Sequence, residues 1–255
     1  PLLGRRWQLS YRQTLLWCTI GFATHGLLDG CTSFGTKLLW PLSDQRYALD
    51  IISVVDPLFT LPLLALVGWA AIRKSRLYVK WALLWGAAYL SVGYVQHQRA
   101  EAMGLKLAEE RGHQVLRLEV KPTFANLAVW KVVYETDERF FVDAVKPGLS
   151  KALTWQGASV AKLDVSRDFP WLDPASQQAR DIGRFNLESA GYLARDPNNN
   201  YRIGDVRYSM LPTSIAPLWG IELRPKAGIN EHVAFYAKRD DPWTAVRRIV
   251  QMMFE

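Results

Sequence analysis

Three apolar runs, residues 14–28, 51–72 and 81–95, dominate the first part of this chain and set the strongest limit on its fold. Sequence this apolar must pack helix against helix or face lipid, and about 20 such residues are the usual need for crossing a bilayer. The runs therefore predict an N-terminal transmembrane helical bundle of about three spans. Run 14–28 is short for a span, whereas run 51–72 is long enough, with Pro57 and Pro62 breaking or kinking it. Arg5, Arg6 and Arg12 flank the first run, and Arg73, Lys74, Arg76 and Lys80 lead into the third. The positive-inside rule puts both flanks on the cytoplasmic side, so the loop bearing Thr32 and Gly35 and everything after Val95 are expected outside. The chain opens at Pro1 without a Met, as a truncated or processed chain would.

Beyond Val95 the character changes. Residues 96–111 are charged and place Ala100, Met103, Leu107 and Ala108 at helical spacing, which reads as a stalk helix. Short β-like runs follow at 115–120, 127–134, 139–145, 185–194, 201–210 and 218–223, with Asp196-Pro197-Asn198-Asn199-Asn200 as a turn. Helical interludes are expected from Asp168 through Gln178 and from Asp241-Pro242-Trp243 to the C terminus, the latter opening on an acidic cap followed by proline. The expected fold class is α+β. Residues 1–111 form a membrane helical domain with its stalk, and residues 112–255 a mostly antiparallel, β-rich soluble domain.

The formal charge of +7 raises the question of nucleic acid. Lys and Arg are scattered and much of their surplus borders the apolar runs, which fits membrane topology better. The only cysteines, Cys18 and Cys31, both belong to the first apolar segment, so a disulfide framework is not expected and packing is their assigned role. Gly-x-Ser-x-Gly, P-loop and Gly-x-Gly-x-x-Gly motifs are missing, which argues against covalent catalysis and nucleotide binding.

The chemistry-bearing residues are polar groups set among apolar ones. His25 and Asp29 are four apart, so in a helix they share a face, and Thr32 is three further on. Imidazole and carboxylate suit zinc or manganese, and an i, i+4 pair can hold one ion. The same spacing equally suits a hydrogen-bonded helix end. Asp56, a second acid in a second apolar run, would be kept ionised by a bound cation, or it would cap the helix that Pro57 opens. Thr32 and Thr36 are candidates to orient ligands or substrate oxygens. Asp44, Arg46 and Asp50 are expected in a solvated loop. His97, His113 and His232 show no ligand spacing and are expected at surfaces or interfaces.

At these residues the chain resembles a known family. Thr24-His25-Gly26-Leu27-Leu28-Asp29, Thr32, Phe34-Gly35-Thr36, Leu39-Trp40-Pro41-Leu42-Ser43 and Asp56-Pro57-Leu58-Phe59-Thr60-Leu61-Pro62-Leu63-Leu64 are similar to the signature of the bacterial YdjM-like inner-membrane proteins, some of them LexA-regulated. Pro122-Thr123-Phe124-Ala125-Asn126 and Trp130-Lys131-Val132-Val133 continue the likeness more weakly. The resemblance implies a multi-pass protein of the bacterial inner membrane with a metal-centred site to which His25, Asp29 and Asp56 contribute. It implies a metal-dependent hydrolase in which water activated by a divalent metal, zinc or manganese, attacks a lipid or lipid-linked ester. The family's acidic Pro-Asp-type and His-rich N-terminal motifs have no counterpart here. The alternative is a non-enzymatic inner-membrane protein whose β-rich domain binds an envelope partner, with the three polar residues as packing glue. A transporter is a third option, since a proline-broken segment with an acid suits ion binding.

Overall fold

The computed structural model describes residues 9–148, 151–238 and 241–255. Arg5 and Arg6, which carry part of the orientation argument, lie outside them, as does the Pro1 opening. The chain divides into two compact units, one formed by residues up to Tyr94 together with Phe124–Asn126, the other by Val95–Thr123 and Leu127–Glu255.

The first unit is helical. Helix α1 (Tyr11–Cys31) begins at a capping box, in which Ser10 accepts from the Gln13 backbone while the Gln13 side chain accepts from the Ser10 backbone. Helix α2 (Pro57–Arg73) begins at Asp56 as cap and Pro57 in the first turn, and stops where Lys74 turns left-handed at φ 49°. Helix α3 (Arg76–Glu110) then runs for 35 residues. Between α1 and α2 the chain doubles back: Thr36 and Tyr47 pair antiparallel, Leu49 donates to the Gly30 carbonyl at 2.8 Å, and Thr32 forms a parallel bridge to Ile52. Gly35, the expected bend, has φ 69°, and a β-carbon there would lie 2.5 Å from the Tyr47 carbonyl.

The expected transmembrane bundle is not what forms. Among the described residues, no helix is long and apolar enough to cross a membrane. Run 51–72 has the residue count of a span, but the Asp56 cap leaves residues 51–56 outside the helix, which has 17 residues from Pro57 to the basic Arg73. That is about 25 Å of helix against a hydrocarbon core of roughly 30 Å. Helix α1 reaches 21 residues only by taking in Arg12, Gln13, His25 and Asp29. Helix α3 is long enough, but from Gln96 onward it is charged.

Burial in this unit runs opposite to an ordinary core. Apart from Ile51, Ile52 and Phe59, the buried positions are small or polar, among them Gly30, Gly35, Asp50, Ser53, Asp56, Ala70, Ala82 and Gly93. The large apolar side chains face outward, with Phe22 83%, Ile72 71% and Leu83 70% exposed.

The second unit has a conventional interior. Strands β1 (Arg117–Pro122), β2 (Trp130–Glu135), β3 (Arg139–Lys146) and β4 (Leu153–Ala161) form one antiparallel sheet in that order. Strands β5 (Leu193–Arg195), β6 (Arg202–Asp205), β7 (Trp219–Glu222) and β8 (Ala234–Ala237) form another. Helices α4 (Val165–Asp168) and α5 (Gln177–Glu188) lie between the sheets in sequence, and α6 (Pro242–Phe254) ends the chain. Ala100 and Ala108 of α3, flanked by Met103 and Leu107, pack on Val120, Trp130, Val132, Tyr134 and Val145.

Several β assignments need correction. Residues 185–194, expected as a strand, are mostly the end of α5 and a turn, and only Leu193 and Ala194 are in β5. Ile182 and Phe185 are three apart on the apolar face of α5 and pack with Leu193, Ile203, Ile221 and Leu223, a helical spacing that outweighs the β-like composition. Strands β4 and β8 went unrecognised in the sequence. The interlude expected from Asp168 resolves into the end of α4, a turn-rich stretch and the first residues of α5.

Candidate functional site

The segment from Thr24 to Thr36 closes α1 and starts the return loop. His25 Nε2 and Asp29 Oδ2 are 3.5 Å apart on an exposed helix face. Thr32 ends the helix: its hydroxyl donates to the Asp29 carbonyl at 2.8 Å and accepts from the Phe34 and Gly35 backbones. Thr36 holds the loop through its two backbone bonds to Tyr47. Both threonines therefore do structural work at the helix end. Cys31 leans on the Leu27 carbonyl at 3.4 Å, whereas Cys18 is exposed, so the packing role expected of it does not hold.

Asp56 is placed differently. Its side chain is 3% exposed, Oδ1 accepts from the Phe59 backbone at 3.1 Å, and Oδ2 accepts from the Tyr89 hydroxyl at 2.8 Å. Trp85 donates to the Phe59 carbonyl, and the Tyr89 ring lies 5.5 Å from Phe59 and 5.7 Å from Trp85. The acid thus caps α2 and pins it to α3. Tyr89 was not singled out in the sequence, although a tyrosine in an apolar run needs a partner for its hydroxyl.

These donors do not make a zinc or manganese centre by themselves. A catalytic zinc takes three protein ligands, and among the described residues no group of three or more His, Cys, Asp or Glu side chains could hold a metal. His25 and Asp29 supply two donors, and each Asp56 oxygen already accepts a hydrogen bond.

The β-rich unit holds polar networks that sequence spacing did not reveal. Arg111 grips Asp143 through two bonds of 2.6 and 3.0 Å and donates to the Tyr134 hydroxyl, which also meets His113 Nδ1 at 2.8 Å. The paired carboxylate holds the Arg111 guanidinium protonated far beyond its ordinary range. His113 is therefore no free surface histidine; it lies over Phe141, ring centres 4.3 Å apart. His232 meets Asp181 at 2.8 Å, and His97 stands edge-on to Trp130.

Glu135 is buried between Arg117 and Lys162. Burial alone would raise its carboxyl, but the bonds from Lys162 and Arg117 outweigh that and hold it below the usual range. Lys131 is buried opposite Lys121 across β1 and β2, and desolvation pushes its amine down to about 7. Its Nζ nonetheless donates to the Val206 carbonyl, the Ser209 hydroxyl and the Ser214 carbonyl at 2.7 to 3.0 Å. Three acceptors match the three hydrogens of an ammonium, so this geometry favours the charged form and a role in tying residues 206–214 to β2. Cavities of about 220, 440 and 610 Å³ open in this unit, and none has a histidine or cysteine in its wall.

Compared with known proteins, residues 2–100 match the family model described as YdjM inner membrane protein. No curated protein and no solved structure matches the chain.

Proposed function

We propose that this YdjM-like chain is held at the inner membrane by the apolar outer surface of its helical unit, and that it serves there as a binding protein, its β-rich unit meeting an envelope partner. The observation that supports this is the burial pattern of the helical unit. Small and polar residues are inside, while Trp17, Phe22, Leu42, Leu61, Leu64, Ile72 and Leu83 are outside. Large apolar side chains turned outward around a small and polar interior is the arrangement that a lipid surface favours over water. Large apolar side chains exposed in this number on all three helices mark a surface that lipid or protein covers. The β-rich unit does the reverse, burying Trp130, Tyr134, Phe140, Phe169 and Tyr192.

The binding reading is preferred to the metal-dependent hydrolase because, among the described residues, His25 and Asp29 bring two donors together and Asp56 is engaged by Phe59 and Tyr89, so no hydrolytic step is derived through a metal. His25 and Asp29 then serve as an exposed polar pair at the end of α1, and Asp56 as a structural acid.

The test is flotation of the full chain with phosphatidylethanolamine and phosphatidylglycerol vesicles. The chain should float with lipid and need detergent to stay dispersed without it. Phe22→Glu combined with Leu83→Glu should reduce flotation several-fold while leaving the circular dichroism of the β-rich unit unchanged. A chain that stays monomeric in detergent-free buffer and ignores vesicles would overturn the reading.

A further inference from the structure

Between Asp56 and Glu101 the chain has no acidic residue, yet the turn that joins α2 to α3 carries Arg73, Lys74, Arg76 and Lys80 within eight residues. All four are exposed. The acids described in the helical unit are engaged elsewhere. Asp29 pairs with His25 and Asp44 with Lys37, while Asp56 caps α2 and holds Tyr89. Asp50 is buried where Leu49 and Ile51 bond to the end of α1.

Local folding accounts for only part of this cluster. Arg73 and Lys74 close α2, where cations suit the helix dipole. Arg76 opens α3, where a cation opposes the dipole, and no acid in that turn offsets it. Aromatic side chains flank the cations on both helices. Trp69 is one turn before Arg73 and Trp81 follows Lys80, and the two residues are 52% and 51% exposed. Ile72 and Leu77, between them in the chain, are exposed as well.

We infer that the turn between α2 and α3 is a docking surface for anionic phospholipid headgroups, its four cations meeting phosphate while Trp69 and Trp81 sit at the membrane interface. Each Lys or Arg near an anionic membrane surface adds to the attraction, and tryptophan concentrates at the headgroup level. A soluble anion would satisfy the cations but leave Ile72 and Leu77 in water. The turn also continues along both helices into the outward Leu64 and Leu83. The membrane-held reading above places those side chains against lipid, and the inference rests on it.

Partition of the full chain into phosphatidylcholine vesicles with and without phosphatidylglycerol, measured by flotation at limiting lipid, tests it. The chain should partition about tenfold or more strongly into the anionic vesicles, and added salt should remove the difference. Arg76→Gln with Lys80→Gln should lose about tenfold in the anionic vesicles and little in the zwitterionic ones. Arg184→Gln with Lys226→Gln, which removes two exposed cations of the β-rich unit, should keep the preference. Arg76→Lys with Lys80→Arg, which keeps both charges, should behave as the wild type. A chain that floats equally with both vesicles, or whose two glutamine variants lose the preference alike, overturns the docking surface and leaves the membrane-held reading standing. Inorganic phosphate that abolishes the preference at constant ionic strength, or an oligonucleotide whose binding depends on Arg76 and Lys80, assigns the turn to a soluble anion and also overturns it. A chain that floats with neither vesicle overturns both readings.

Discussion

Asp56 shows how one residue satisfies two sequence patterns. An acid in an apolar run reads either as a cation ligand or as a helix cap, and the sequence leaves both open. The structure places it as a cap, with its second oxygen on Tyr89. The two roles separate by mutation. Asparagine caps as well as aspartate does, so Asp56→Asn should cost little, whereas Asp56→Ala should lose the cap and strand the Tyr89 hydroxyl, a loss of about 2 kcal/mol. Tyr89→Phe should recover part of that loss in the alanine background. Urea denaturation in detergent measures each. Zinc or manganese retained by the wild-type chain after dialysis should be substoichiometric and unchanged by His25→Ala; tight stoichiometric metal lost in Asp56→Asn would return the residue to the ligand role.

At the scale of elements, what was legible followed local chemistry. The opening of α6 at Asp241 and Pro242 was readable because cap and proline act within one turn. Strands β2 and β3 were readable because they are dense in β-branched and aromatic residues. Strand β4, with Gln156, Gly157, Ala158 and Ser159 at its centre, has no such signal and is held by its pairing with β3, which composition does not reveal. Run 51–72 does not become a span, because the Asp56 cap starts the helix at a point that a hydropathy run does not show. The polar networks of Arg111 and Lys131 join residues 23 to 83 positions apart, beyond any local spacing rule. Local chemistry also marks a weak point. Lys74 ends α2 in the left-handed region, where a β-carbon is unfavourable. Lys74→Gly should therefore raise the thermal stability of the helical unit by up to about 1 kcal/mol, and unchanged or lower stability would mean that the lysine side chain holds that turn in some other way.

For the whole molecule, the two units close their interiors by different physics, so their stabilities should answer to different variables. The helical unit leaves its large apolar side chains outside, and lipid that binds only the folded form stabilises by mass action, about 2.7 kcal/mol at a hundredfold excess over the dissociation constant. The β-rich unit closes over an apolar core and adds ion pairs such as that of the buried Glu135 with the more exposed Arg117 and Lys162. Because the folded Glu135 carboxyl is held below its usual range, its contribution is complete above the unfolded value near 4 and is lost as pH falls through the folded value. Glu135→Gln removes the titrating group and leaves Arg117 and Lys162 without their counter-charge. The variant should be less stable at pH 7, and its further loss between pH 7 and pH 3 should be smaller than in the wild type. Thermal unfolding in dilute detergent should then show two transitions: added lipid raises one, and acid lowers the other less in Glu135→Gln than in the wild type. A single transition that moves with both lipid and pH would show that the chain unfolds as one cooperative body, and the division of labour between the units would fail.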